Sequence, residues 1–516
     1  NTIWRNTILS PRLRSRAVSK ITFGKYILDS LSIGMYSDPL MALREYVQNC
    51  TDSIDLLPKD TPRSLVEITV DGRNRSLEIS DNGVGIPSRK VESTLLNIGA
   101  SEKDPVNSRG FRGIGRLGGL GYCDTLVFIT KSKGEKTYTT CIWDSRLLRQ
   151  LINGRRSVDT YFLIDKATSI KKSAYSGSEK DHFFKVQMLN IKDSRNDLLN
   201  VPTIRSYLSQ VAPVPFHSDF VFGKRIDREL SKRVPTYKSY DIVLNKEQIF
   251  KQYQSTVNLC RESVDEIEGI QFVELRDDTS MLAFGWLGNL NLFGAVNPAS
   301  GVDGIRLRCG NILLGNKDTL STLFKETRFN HYLVGELHTV DNRLIPNSRR
   351  DDFEDSVVKG KLFNEFIKEI GIPFSSKIRT LSKERGKEKE RDNIGSLFRH
   401  ASAVINHGYL SERQRDRIVA RLNNVNGRHS TQEVQLAKQL IEEISNAQDI
   451  LSAQKISKRT KPQVIDVLRT TLDILYTEIP PSTASSNLVN KLYQIITEQE
   501  PSEDCSADSN LPIVNS

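Results

Sequence analysis

No apolar run in the 516-residue sequence approaches the ~18 residues a membrane-spanning helix needs, so no helical membrane segment is expected. The first twenty residues are interrupted by Arg5, Arg12, Arg14 and Arg16 and lack the apolar stretch of a secretory leader. The six cysteines (50, 123, 141, 260, 309 and 505) form no Cys-x-x-Cys pair and have no histidine at metal-ligand spacing. A disulfide framework and a structural zinc are therefore not expected, and a reducing cytoplasm is the expected compartment. Acids are absent before Asp29, whereas residues 1–28 carry six Lys/Arg. Residues 376–429 hold thirteen Lys/Arg against six Asp/Glu, so these two segments account for more than the net charge of +10. Such segments suit nucleic acid or an acidic partner, and equally a solvated surface. What remains, 38% hydrophobic and 26% charged, is an ordinary globular composition long enough for about three domains.

Apolar residues at three- and four-residue steps predict helix over 21–57, closed by Pro58. Alternating strands follow at 66–70 and 77–80 around Asp71-Gly72, then a Gly-rich stretch at 99–121 and strands at 125–130 and 183–191. A helix near 201–211 runs into Pro213-Val214-Pro215. Strand signals at 239–244, 269–275, 281–287 and 305–309 suggest a second mixed domain over 236–375. Beyond Gly395 the strands stop. Ser430-Thr431-Gln432-Glu433 is a capping box that opens a helix, and Pro462 begins another. The tail after Pro501 has a disordered composition.

Three segments carry chemistry. In Leu43-Arg44-Glu45-Tyr46-Val47-Gln48-Asn49-Cys50-Thr51-Asp52, Glu45, Asn49 and Asp52 project from one face of an otherwise apolar helix. That arrangement is costly in a core and sensible in a polar pocket, although a solvated face explains it as well. Ile79-Ser80-Asp81-Asn82-Gly83-Val84-Gly85-Ile86 ends a strand in an acid, and its glycines let backbone approach a ligand; Asp-Asn-Gly is also a common turn. Gly110-Phe111-Arg112-Gly113-Ile114-Gly115-Arg116 offers backbone N–H groups and cations to phosphate, or is a flexible loop.

In order and spacing the three segments resemble the GHKL superfamily of ATPases (gyrase, HtpG-type heat-shock chaperones, MutL and histidine kinases), with the HtpG type nearest, over residues 26–215. Asn97-Ile98-Gly99-Ala100-Ser101-Glu102-Lys103 also resembles that type's adenine-to-lid segment. The resemblance implies an α+β chain. A Bergerat-type ATP-binding sandwich would occupy 26–235 after a basic arm (1–25), followed by an α/β middle domain (236–375), a basic linker with helices (376–500) and a tail (501–516). It implies ATP and Mg²⁺ as ligands. Glu45 would be the general base, Asn49 the Mg²⁺ holder, and Asp52 a pocket wall. Asp81 would accept from the adenine amino group beside Gly85 and Ile86. Asn97 and Lys103 would lie at the ribose and phosphates, with Gly110, Gly113 and Gly115 as the lid. Two departures are visible: Arg116 stands where an aromatic is usual and could reach phosphate, and residues 183–186 offer no threonine near the adenine aspartate.

A second resemblance, to the chaperone middle domain, runs from Tyr332 to Asp351. It implies an arginine reaching the γ-phosphate, either Arg349 or Arg350; a surface pairing with Asp351, Asp352 or Glu354 is the alternative. Residues 310–317 lack the Gly-Lys-Ser/Thr of a P-loop. The first histidine is His182, so no phosphoacceptor precedes the ATP site. The expected function is slow, Mg²⁺-dependent ATP hydrolysis that drives lid closure and domain docking, in a cytoplasmic homodimer with a protein client and no membrane association. The alternative is a nucleic-acid clamp using the same engine, as in MutL or gyrase.

Overall fold

The computed structural model describes residues 23–32, 38–58, 65–99, 113–156, 158–260, 263–409, 411–425, 429–447 and 449. The expectations for Lys103, Gly110, the helix at Pro462 and the tail fall outside them. The chain divides into two units, Asn1–Ile378 and Arg379–Ser516.

Of the helical stretch expected over 21–57, the first unit describes α1 (Tyr26–Ser32) and α2 (Pro39–Asp55). Asp38 caps α2 by accepting from the Leu40 N–H at 3.0 Å, and Pro39 supplies a first residue that needs no donor. The strands β1 (Leu65–Asp71) and β2 (Ser76–Asp81) pair antiparallel, with Val66 opposite Asp81. The turn between them is closed by Asp71, which accepts from the Arg73 and Asn74 N–H groups. Chain order continues with α3 (Val91–Leu96), β3 (Cys123–Lys131), β4 (Thr137–Asp144), α4 (Ser145–Asn153), α5 (Thr160–Ala167), β5 (Thr168–Ala174), β6 (Phe183–Ile191), α6 (Val201–Val211), α7 (Gly223–Arg233), β7 (Asp241–Leu244) and β8 (Glu247–Gln248).

These strands form one mixed eight-stranded sheet in the order β5-β4-β3-β6-β2-β1-β7-β8. Alternation sorts its two faces. Val66, Ile68, Leu77, Ile79, Phe128, Val186 and Met188 are buried in one core with Leu43, Tyr46, Val47, Cys50 and Ile54 of α2. Glu67, Glu78, Lys185 and Gln187 occupy alternate positions and line the other face. A cleft of about 550 Å³ opens on that second face, lined by Ser80, Ile129, Tyr138, Tyr175 and Phe183 among others.

The strand expected to open the second domain belongs to the first sheet. β7 pairs in parallel with β1, Leu65 opposite Asp241. The short strands β9 (Thr256–Asn258) and β10 (Val264–Glu266) pair with each other. A five-stranded sheet then forms from β11 (Gly269–Arg276), β12 (Met281–Asn289), β13 (Gly304–Cys309), β14 (Ile312–Leu313) and β15 (Val334–Thr339), in the order β11-β12-β15-β13-β14. Every residue of the central strand β15 is buried. The helix α8 (Val357–Phe366) packs on β11 and β12.

A 36-residue helix, α9 (Ile372–His407), contains the boundary between the two units. The second unit adds α10 (Glu412–Asn423) and α11 (Thr431–Ile444), whose small core includes Ala401, Val404, Ile418, Leu422, Leu440 and Ile444. The capping box read at Ser430 is formed in both directions with Glu433. The exposed stretch of α9 interleaves Lys383, Arg385, Lys387, Lys389 and Arg391 with Glu384, Glu388, Glu390 and Asp392.

Candidate active site

Glu45, Asn49 and Asp52 share one face of α2: the first two are half-buried and Asp52 is buried. The Glu45 carboxylate lies between two guanidinium groups. Its Oε1 is 3.6 Å from Nη2 of Arg44 and 3.5 Å from Nε of Arg350, separations of ion pairs without direct hydrogen bonds. The other oxygen faces the glycine turn before β3. A Cβ on Gly115 would stand 2.5 Å from Glu45 Oε2, so any larger residue there would push the carboxylate aside.

Arg350 arrives from the loop after β15. The bridge between Pro346 and Phe353 closes that loop, and the Asn347 side chain donates to Asp351 at 2.6 Å. Arg350 adopts φ of +57°, a left-handed conformation unusual for a residue with a side chain, and its carbonyl accepts from the Gly315 N–H at 2.8 Å. Its side chain is buried. Burial lowers the guanidinium pKa, while the charges of Glu45 and Asp52 raise it. Arg349 is exposed and offers only its carbonyl, which accepts from Arg44 Nη2 at 3.0 Å. The surface alternative is therefore not what forms at Arg350. Asp351 is taken by Asn347, and Asp352 by Lys359 at 2.6 Å.

At the other end of α2, Asp81 is buried at the end of β2, and its Oδ1 accepts from the Gly83 N–H at 2.8 Å. Gly85 has φ of +66°, and a Cβ there would meet the Lys131 carbonyl at 2.1 Å. Ile86 donates its N–H to the Thr130 hydroxyl at 2.8 Å. The sequence reading missed Thr130. Its signal was a hydroxyl in the buried register of β3, following Leu126 and Phe128. The β6 residue opposite Asp81 is Phe184, in agreement with the missing threonine there.

Asn97 ends α3 and is exposed. Arg116 is turned toward that helix end: Nε donates to the Leu95 carbonyl at 3.1 Å and Nη2 to the Asn97 carbonyl at 2.5 Å. Burial pushes its pKa down to about 10. Gly113 has φ of +69°. The structure thus brings Glu45, Gly115 and Arg350 together on one side, and Asp81, Gly85 and Ile86 on the other.

The family described as histidine kinase-, DNA gyrase B- and HSP90-like ATPase matches residues 36–155. Chaperone protein HtpG of Fusobacterium nucleatum is 25% identical over 181 residues, covering 31% of this chain and 29% of that protein. HtpG of Natranaerobius thermophilus is 36% identical over 87 residues, 15% of this chain and 14% of that protein. HtpG of Klebsiella pneumoniae is 21% identical over 257 residues, 45% of this chain and 37% of that protein. Each match spans less than two-fifths of the relative's own length. Residues 36–155 are therefore similar to the GHKL-type ATPase domain, and the chain resembles the HtpG-type chaperones over part of its length.

Proposed function

We propose that this chain binds ATP with Mg²⁺ and hydrolyses it slowly, as an HtpG-chaperone-like protein whose second sheet completes the site. The observation that carries this reading is Arg350. A buried arginine held in left-handed backbone and aimed at Glu45 is an expensive arrangement, and surface pairing needs none of it. In the reaction, a water oxygen bonds to the γ-phosphorus as the bond to the ADP oxygen breaks. Glu45 takes the water proton, and Arg350 neutralises charge on the phosphoryl oxygens.

The guanidinium that holds Glu45 is also the one for which a γ-phosphate would compete. Phosphate capture and the release of Glu45 to act on water are thus one exchange. Among the described residues there is no cluster of three or more His, Cys, Asp or Glu able to hold a metal. Mg²⁺ does not need one, since it takes one or two protein oxygens and completes its shell with phosphate and water. The half-buried Asn49 beside buried Asp52 fits that demand, and the ion would neutralise phosphate charge. Asp81 would accept from the adenine amino group, with Gly85 and Ile86 shaping the base pocket. Asn97, Lys103, Gly110, Gly113, Gly115 and Arg116 belong to the ribose, phosphate and lid side of this proposal.

A steady-state ATPase assay with calorimetric ATP binding tests the reading. Arg350→Ala should lower turnover about a hundredfold with ATP affinity unchanged, the pattern of a contact made mainly in the transition state. Arg349→Ala should keep wild-type turnover. Equal turnover in both variants and wild type would refute the docking arginine. A homodimer, a protein client and a cytoplasmic location belong to the same proposal, and light scattering with a non-hydrolysable ATP analogue tests the dimer. The nucleic-acid clamp is the weaker reading, because the basic stretch of α9 is interleaved with acids.

A further inference from the structure

A second charged cluster lies in the first unit, away from Glu45, and no role in hydrolysis has been given to it above. Glu336, in the middle of β15, is fully buried and accepts from four donors. These are Lys251 Nζ at 2.6 Å, Arg308 Nε at 2.6 Å, the Tyr253 hydroxyl at 3.2 Å and His338 Nε2 at 3.1 Å. Lys251 and Arg308 are fully buried too, so the Glu336 carboxylate is paired with two buried cations.

The cations converge on the two-residue turn between β13 and β14. Lys251 donates to the Asn311 side chain at 3.0 Å, and Arg308 Nη1 to the Asn311 carbonyl at 3.1 Å. The same groups reach toward the first sheet's side of the unit. Arg308 Nη2 donates to the Gln210 carbonyl of α6 at 2.7 Å, and the Asn311 amide to the Lys238 carbonyl at 2.9 Å. The hairpin so fixed packs Ile312 beside Arg44, Val47 and Leu208, and Leu313 into the core that α2 covers. One residue beyond Leu314, Gly315 donates to the Arg350 carbonyl. A continuous path of hydrogen bonds and backbone runs from Glu336, through the hairpin, to the residue facing Glu45.

We propose that Glu336, acting through Lys251, Arg308 and the turn at Asn311, is a positioning residue that sets where Arg350 stands against α2. This rests on the role given to Arg350 above. Apolar packing alone would let the hairpin slide on α6, whereas directional bonds to a saturated carboxylate fix its register. Neutralising Glu336 leaves two buried cations without their anion, and the cheapest relief is movement of the turn that carries their other partners.

The test is amide hydrogen exchange on the full chain, wild type against Glu336→Gln, read at residues 310–316 and 347–351 with β3 and β6 as internal standards. Loss of protection by about tenfold or more in those two segments, with the standards unchanged, is expected. Unchanged protection at Gly315 overturns the proposal, as does equal loss everywhere, which would mark a merely structural role. If Glu336→Gln does not fold, Asn311→Gly takes its place. Asn311 has φ of +61°, so glycine keeps the turn while removing the side chain that Lys251 grips.

Exchange reads positioning whether or not the chain hydrolyses ATP, so failure of the ATPase reading and failure of this one are separable. Given hydrolysis, Glu336→Gln should lower kcat about tenfold at unchanged KM and add nothing in an Arg350→Ala background. Multiplying effects in the double variant would mean that Glu336 does not act through Arg350.

Discussion

Two carboxylates in the first unit each face two cations, and they are held in opposite ways. Glu336 is fully buried and saturated by four donors at 2.6 to 3.2 Å. Glu45 is 12% exposed and stands 3.5 and 3.6 Å from its guanidinium partners, beyond hydrogen-bond contact. The charges are alike and the tightness is not. Under the proposed function, a carboxylate that must exchange partners is left loose, against a glycine. One that holds domains in register is sealed, because any slack there is transmitted to whatever the register positions.

The sharpest way to break the contrast is to remove one partner from each site and measure urea unfolding. Glu336→Gln should destabilise by about 3–5 kcal/mol, the cost of stranding buried charge. Arg350→Ala should cost less than Glu336→Gln, since Arg44 remains beside Glu45 at 3.6 Å and only one carboxylate–cation pair is lost. Similar losses in the two variants would show that the sites differ only in geometry and not in function.

In hydrolysis the order reverses. Glu45→Ala should keep ATP binding and lose about a hundredfold or more in turnover, as removal of a general base does. Unchanged turnover would reject Glu45 as the base. Asp81→Asn should act on binding instead. It sets an amide donor against the adenine amino group, and the buried mismatch should weaken ATP affinity by about 1–3 kcal/mol in calorimetry. Normal affinity in that variant would place adenine recognition elsewhere.

The same contrast explains what could be read before the structure. Glu45, Asn49, Asp52, Asp81 and Gly85 could be proposed from the sequence because they sit at short spacings on single elements, where helix period and turn chemistry are local. The strands at 66–70, 77–80 and 183–191 and the helix at 201–211 were legible for the same reason. The sequence left Arg349 and Arg350 open, because which of them is buried beside Glu45 depends on one left-handed residue in a loop tied to Gly315. Thr130 was visible only as a hydroxyl in a buried register. Residues 239–244 were read with the second domain's strands, since their sequence says strand and nothing about the partner β1. The Glu336 cluster was beyond reach. Lys251, Arg308 and the β15 pair Glu336 and His338 come from three separate segments, and nothing local links them.

The smallest expected effect concerns protons at the sealed site. Burial, with Arg308 beside it, pushes the Lys251 ammonium from its ordinary 10.5 down to about 7, against the pull of Glu336. The other groups facing it are His338, which burial lowers to about 4 and so leaves neutral, and Asp227, which accepts from Tyr237. A base with a lower pKa folded than unfolded carries fewer protons in the folded state between those two values. Stability from this group therefore rises with pH from about 7 to 10.5, and the cost of burying the charge is fully present below that window. Lys251→Met removes this titration, and the charge it withdraws from Glu336 and His338 shifts groups that titrate below the window. The difference in unfolding free energy, wild type minus variant, should climb between pH 6.5 and 9.5 in urea titrations. A flat difference would mean that Glu336 keeps Lys251 protonated throughout, and the sealed site would then be a fixed ion pair whose grip on the hairpin is the same at every pH in that range.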